Sequence, residues 1–373
     1  MKKVLFVATV VRKHINVFHL PYLKWFQENG YETHVCAGND FEKKDDLLIP
    51  YCNKYYDLPF MRSPFKLENI NIYKRLKKII DENDYDIIHC HTPMGGVLTR
   101  LAARISRNKG TKVIYTAHGF HFFKGAPIKN WLLYYPIERW LARFTDVLIT
   151  INKEDFYRAK KFKTKKVEYV PGVGIDLKKF DKVNINKEEK RRSIGIKKDD
   201  FLILSIGELN KNKNHKVIIN AISKIKNQQI KYVICGQGPM EHDLRLLAQK
   251  LNVDDKVYFI GYRSDIPELC KAADLFAFPS YREGLSLSLM EAIASGLPIV
   301  CSNIRGNSDL VNGGKGGYLI EPDDVSGFKI AINKIIEQHT LRENMIKENI
   351  RFIDNFSLQN TKSILAKIYK GVY

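Results

Sequence analysis

A chain of 373 residues is longer than one ordinary hydrophobic core serves, so two domains of about 150–200 residues each are expected. Its composition, 45% hydrophobic and 27% charged with 19 Tyr and 20 Phe, excludes a disordered or fibrous chain. The formal charge of +20 is uneven, since residues 1–180 hold 32 Lys and Arg against 18 Asp and Glu, a surplus of 14, and the rest of the chain a surplus of 6. Such a field favours an anionic partner, whether nucleic acid, an anionic lipid surface or a phosphorylated substrate; the alternative is a Lys-rich solvated surface.

The chain opens on MKKVLFVATVVRKH, whose apolar run is short and ends in Arg12, Lys13 and His14, which reads as a first β-strand rather than a signal peptide. Further short apolar runs at Glu32–Ala37, Ile87–Cys90, Lys112–Thr116, Val147–Thr150 and Val167–Val170 alternate with helical patterns such as Ile70–Glu82 and Met94–Ser106. That alternation is the pattern of a buried parallel sheet covered by helices on both faces, so the fold class is α/β. Within it, residues 120–144 combine Trp131, Trp140 and several Tyr and Leu with Lys129, Arg139 and Arg143, interrupted by Pro136. This face fits either an interfacial helix on anionic lipid or a buried core helix.

Residues 180–200 are polar and without an apolar period, which marks a linker. The strand–helix alternation restarts at Phe201–Gly207 and runs through Lys231–Cys235, Val257–Ile260, Leu275–Phe278 and Ile299–Ser302, with helices at His215–Lys226, Met240–Leu251, Ile266–Ala273 and Ser286–Ser295. The expected division is residues 1–182, a linker at 183–200, a second domain at 201–355, and a last helical segment at 356–373 with no strand after it. Cys36, Cys52, Cys90, Cys235, Cys270 and Cys301 stand singly, without a CxxC pair, as expected of reduced and mostly buried thiols in a cytoplasmic protein. No stretch approaches the ~18 consecutive apolar residues of a membrane span.

The most informative stretch is PSYREGLSLSLMEAIASGLPIV, residues 279–300. A strand end and loop present Glu283 and Gly284, then a helix whose first free N–H groups belong to Leu285, Ser286, Leu287 and Ser288, with Glu291 further along it. Unpaired N–H groups at a helix N-terminus favour an anion, and a diphosphate suits the place. Glu283 and Glu291, embedded in EGLSLSLMEAIASGLP, resemble the E-x7-E signature of glycosyltransferase family 4, whose members share the GT-B fold. The flanking Pro-Ser and Gly-x-Pro stand at the matching offsets.

Other pieces are similar in order and spacing. Ser205–Lys213, SIGELNKNK, looks like the family's strand and Gly-rich loop, in which Lys213 matches the lysine on the donor diphosphate. Where the family usually carries a second cation, an arginine after the glycine, this chain has Glu208, and Lys211 is the nearest substitute. Gly236 and Gly238 match the family's Gly-x-Gly-Pro, and Tyr262 and Arg263 stand where its backbone reads the nucleotide base. His118, in Thr116-Ala117-His118-Gly119, follows a strand and in its His-Gly context matches the family's functional histidine near the donor sugar, whereas His121, His89 and His91 have no such match. No carboxylate or cysteine stands at a ligand spacing from these histidines, so no metal site is expected. The loop VVRKHIN, residues 10–16, replaces glycines found in many relatives and suggests an acceptor site of its own kind.

The resemblance implies two facing Rossmann-like domains with an interdomain cleft, a donor nucleotide in the second domain, and a final helix crossing back to the first. It implies a retaining hexosyltransferase that needs no cofactor or metal, with a nucleotide sugar, most often a UDP-sugar, as donor. His118, Lys213 and Glu283 are then the catalytic candidates, and Glu291 holds the nucleotide ribose. The basic first half suggests a saccharide acceptor linked to polyprenyl diphosphate at the inner face of the cell membrane, in capsule or exopolysaccharide synthesis. Two alternatives differ in kind. A GT-B nucleotide-sugar epimerase would need no acceptor; a nucleic-acid-binding protein would use the basic surface, but no helix-turn-helix, zinc-finger or RNA-recognition signature is present.

Overall fold

Runs of Val, Ile, Leu and Phe that are apolar on both sides demand cover on both faces, and they form two parallel sheets. The computed structural model describes residues 1–61 and 63–372. Its chain divides into two compact units, Met1–Val173 with Thr361–Tyr373, and Gly174–Asn360.

The first unit holds seven strands, β1 (Lys2–Val10), β2 (Tyr31–Gly38), β3 (Lys54–Asp57), β4 (Ile87–His91), β5 (Lys112–Ala117), β6 (Val147–Thr150) and β7 (Lys166–Tyr169), in the order β3-β2-β1-β4-β5-β6-β7. All its pairings are parallel. β1 is central, and Val4, Leu5, Phe6, Val7 and Ala8 are wholly buried. β3, KYYD, lies at the sheet edge with no fully buried residue, and that is why its sequence carries no apolar run. The last helix, Leu358–Lys370, sends Leu365, Ile368 and Tyr369 into the same core as Val4 and Phe6.

The helix Ile128–Leu141 continues through Pro136 and buries only Leu141. Ile128 is 77% exposed, Leu132 74% and Trp140 44%, so the reading of this segment as a buried core helix does not hold. Trp131, Tyr134 and Tyr135 pack partly buried against the core, and an ion pair adds to them: Arg100, fully buried, donates to both Glu138 oxygens at 2.9 and 3.1 Å and lies 3.9 Å over the Tyr115 ring. Among the described residues no helix is long and apolar enough to cross a membrane.

The second unit holds β8 (Phe201–Ile206), β9 (Ile230–Cys235), β10 (Val257–Phe259), β11 (Leu275–Phe278), β12 (Ile299–Ser302) and β13 (Gly317–Ile320), in the order β10-β9-β8-β11-β12-β13. The polar residues 183–200 belong to this unit and contain the helix Lys187–Arg192, capped by Asn186. Polar bonds replace the missing apolar face: Arg191 is buried and donates to the carbonyls of Ala272, Lys198 and Asp200 and to Asp274. In each sheet the strand order reverses beside the first strand, between β1 and β4 and between β8 and β11. At such a switch point the loops leaving the two strands diverge and open a crevice beyond their carboxyl ends.

Candidate active site

At the switch point of the second sheet, three loops are laced by backbone bonds. Gly207 N donates to Cys235 O at 3.0 Å, Leu209 N to Gln237 O at 3.0 Å, and Gly236 N to Gly261 O at 2.8 Å. A side chain on Gly236 would stand 1.9 Å from Gly207 O, and one on Gly238 would stand 2.5 Å from Leu209 O. Their glycines therefore serve the approach of one loop to another. Tyr262 is 77% exposed, and the Arg263 guanidinium is engaged by Asp265 at 2.8 and 2.6 Å. Lys190 also bonds Asp265, and these partners hold the Asp265 carboxyl well below its ordinary range.

Lys213 ends a short turn, residues 211–213, whose start is capped by Asn210 accepting from Lys213 N at 3.1 Å. The turn is held against the strand-β11 loop, because Tyr281 N donates to Asn212 O at 2.8 Å and Asn212 Nδ2 to Arg282 O at 3.0 Å. These bonds bring Lys213 Nζ within 2.8 Å of Glu283 Oε1 and 4.6 Å over the Phe278 ring. Both side chains are largely buried, at 18% and 14% exposure, so the pair keeps a weakly screened charge interaction. Lys211 is exposed, and Glu208, also exposed, accepts from Asn210.

After Glu283 and Gly284 the chain enters the helix Leu287–Ala294, with Ser286 at its N-cap accepting from Leu289 N at 3.4 Å and near Ser288 Oγ at 3.0 Å. Leu285 packs on the core, and Leu287 is 37% exposed. The unpaired N–H groups of the first helical turn follow directly on the Lys213–Glu283 pair, a juxtaposition that suits a polyanion. Glu291 lies one stretch further along this helix, where burial pushes its carboxyl up to about 7 against a smaller opposing pull from Lys179. Sequence reasoning missed Lys179, and also Arg305, whose Nε donates to Glu283 O at 3.2 Å. Neither lies in the local motif, and only the fold brings them near it.

In the first unit, β1, β4 and β5 end together. His118 follows β5 and His91 ends β4; His14 lies in a π-helical turn, Val11–Ile15, after β1, and His19 precedes the helix Leu20–Glu28. One ligand atom from each of these four rings lies within 4.8 Å of the others. Burial and the neighbouring imidazoles hold His19, His91 and His118 well below the ordinary histidine range, and burial lowers His14 to about 4, so all four are neutral at neutral pH. His89 is separate, bonded to Tyr369 OH at 2.9 Å and Thr116 Oγ1 at 2.8 Å. Beside His14, a cavity of about 510 Å³ is lined by Lys13, Phe65, Thr92, Tyr134 and Glu138 among others. The loop VVRKHIN that borders it is anchored by Asp40, which accepts from the backbone N–H of Arg12 and Lys13.

Each sheet is doubly wound and parallel, and the second carries a lysine–glutamate pair and a capped helix start at its switch point. The chain belongs to glycosyltransferase family 4: residues 186–352 match Glycosyl transferases group 1, and residues 3–152 match Glycosyl transferase 4-like. It is 42% identical to EpsD of Bacillus subtilis strain 168 over 99% of this chain and 97% of that one. It is 33% identical to an Escherichia coli UDP-Gal:alpha-D-GlcNAc-diphosphoundecaprenol alpha-1,3-galactosyltransferase over 80% of this chain and 78% of that one. Among solved structures, Anabaena HepE in complex with UDP superposes with a TM-score of 0.82 at 19% identity, over 99% of this chain and 100% of that one.

Proposed function

We propose that this chain transfers a hexosyl group, with retention at the anomeric carbon, from a UDP-sugar to a saccharide carried on a polyprenyl diphosphate, in the synthesis of a cell-surface polysaccharide. The observation that carries the reading is the Lys213–Glu283 pair beside the start of the helix Leu287–Ala294. In the reaction the bond from the anomeric carbon to the diphosphate oxygen breaks and its electron pair leaves with UDP. The acceptor hydroxyl bonds to the same face of that carbon, and its proton passes to the departing phosphate oxygen. Negative charge therefore grows on the diphosphate, where Lys213 and the helix N–H groups stabilise it without a metal. Glu283 orients the donor sugar's hydroxyls and Glu291 accepts from the ribose hydroxyls. The family motif gives His118 a role at the donor sugar, and a neutral imidazole is suited to hydrogen bonding there.

Two observations support the acceptor. The cavity of about 510 Å³ in the first unit has Lys13 and aromatic side chains in its wall, which suits a saccharide with an anionic link. The outward apolar face of Ile128–Leu141 suits peripheral contact with a bilayer, and a relative names a diphosphoundecaprenol acceptor. The test is a transfer assay with UDP-sugars and a polyprenyl-diphosphate saccharide, with the product's anomeric configuration read by NMR. Acceptor-dependent UDP release with an α product is expected from an α-linked donor. Conversion of the donor without an acceptor would favour the epimerase, and no turnover of any UDP-sugar would overturn the proposal.

A further inference from the structure

Four histidines from three parts of the first unit converge: His14 and His19 from the helical segment after β1, His91 from the end of β4, and His118 from the loop after β5. Three observations distinguish them from histidines that serve packing. Their ligand atoms lie within 4.8 Å of one another, and His118 Nε2 is 3.4 Å from His91 Nδ1. A tetrahedral ion with bonds of about 2.0–2.1 Å to nitrogen sets its ligands about 3.3–3.4 Å apart. That pair is within hydrogen-bonding distance in the structure, and its separation matches such an edge. His14 Nε2, both nitrogens of His19, and His91 Nε2 are buried without a hydrogen-bond partner among the described residues. The buried histidines of the same unit outside the cluster are fully satisfied, His34 by Tyr85 and Glu32, His89 by Tyr369 and Thr116. Finally, a small cavity of about 20 Å³ touches His19, His91 and His118, room for a single water or ion.

We infer that His14, His19, His91 and His118 form a binding site for a transition-metal cation of the Zn²⁺ class. Neutral imidazoles are borderline donors matched to Zn²⁺, Co²⁺ and Ni²⁺ rather than to Mg²⁺ or Ca²⁺. A bound ion ties the π-helical turn to the ends of β4 and β5. It also occupies the ring of His118, so the loaded protein is the less active form if His118 serves the donor sugar. Only that last consequence rests on the proposed transferase reading; the metal site does not.

The test uses full-length protein without a histidine tag, freed of metal by a chelator and titrated with Co²⁺ and Zn²⁺. One equivalent of Co²⁺ should bind and give the strong visible absorption of tetrahedral cobalt, and Zn²⁺ should displace it and raise the melting temperature. His19→Phe removes two unpaired buried nitrogens at similar volume, so its apo form should melt no lower than wild type. Both His19→Phe and His14→Gln should lower the Co²⁺ affinity at least about tenfold. Octahedral cobalt only, or affinity unchanged in both variants, would overturn the site and leave a buried water as the occupant.

Discussion

Lys213 and Glu283 neutralise each other at 2.8 Å, so a diphosphate arriving beside them meets a lysine whose charge is already engaged. Replacing Glu283 with Gln releases that lysine while removing the group proposed to orient the sugar. UDP affinity in Glu283→Gln should therefore hold or rise, while turnover falls by about 10²–10³-fold, a split measured by calorimetry and steady-state kinetics. Lys213→Ala should instead weaken UDP binding directly. Glu291 gives a pH dependence. Its folded value, about 7, lies above its ordinary one, so the neutral acid is the form the fold favours. The stability tied to it is complete below the unfolded value of about 4.3 and is lost as pH rises through about 7. Glu291→Gln, always neutral, should melt higher than wild type at about pH 8.5 and close to it at about pH 5. Ribose hydroxyls prefer the ionised form, so UDP affinity in wild type should rise across the same window and stay flat in the variant. Glu283, Glu291 and Lys213 were legible in the sequence because their motif is local. The four-histidine cluster was not, because the segment that carries His14 and His19 meets His91 and His118 only through the fold.

Between residue and domain, the helix Leu287–Ala294 is positioned by a close approach of two loops. Gly306 has φ of 79°, and a Cβ there would stand 2.2 Å from Gly284 O. Gly306→Ala should cost about 1–3 kcal/mol of stability by denaturant unfolding and weaken UDP binding by displacing Gly284. The helix Ile128–Leu141 tests the bilayer reading, with Leu132 74% exposed on it. Leu132→Glu should reduce co-sedimentation with anionic liposomes and transfer to a lipid-linked acceptor, leaving UDP affinity unchanged; liposome binding equal to wild type would contradict it. Strands with long apolar runs were readable to within a residue or two, β6, β11 and β12 at their full extents. β3 and β13 were not, since the edge strands KYYD and GYLI carry no buried run, nor was the helix Lys187–Arg192, whose single buried anchor is an arginine.

At the scale of the whole molecule, the alternation of apolar runs and amphipathic segments was enough for two parallel α/β sheets, because a strand covered on both faces has little choice of composition. The order of strands within each sheet was beyond it, since pairing depends on contacts far apart in the chain. That order sets the switch points, and the switch points bring Lys213 to Glu283 and the four histidines to one another. The surplus of basic residues in the first 180 positions suits the anionic acceptor proposed above. The central claim is that the second unit holds the diphosphate of a UDP-sugar through Lys213 and its ribose through Glu291. A thermal-shift panel of UDP, GDP and ADP on wild type, Lys213→Ala and Glu291→Ala tests it most directly. Stabilisation of wild type by UDP, lost in both variants, is the predicted result; no shift with any nucleotide, or an equal shift in all three proteins, would contradict it.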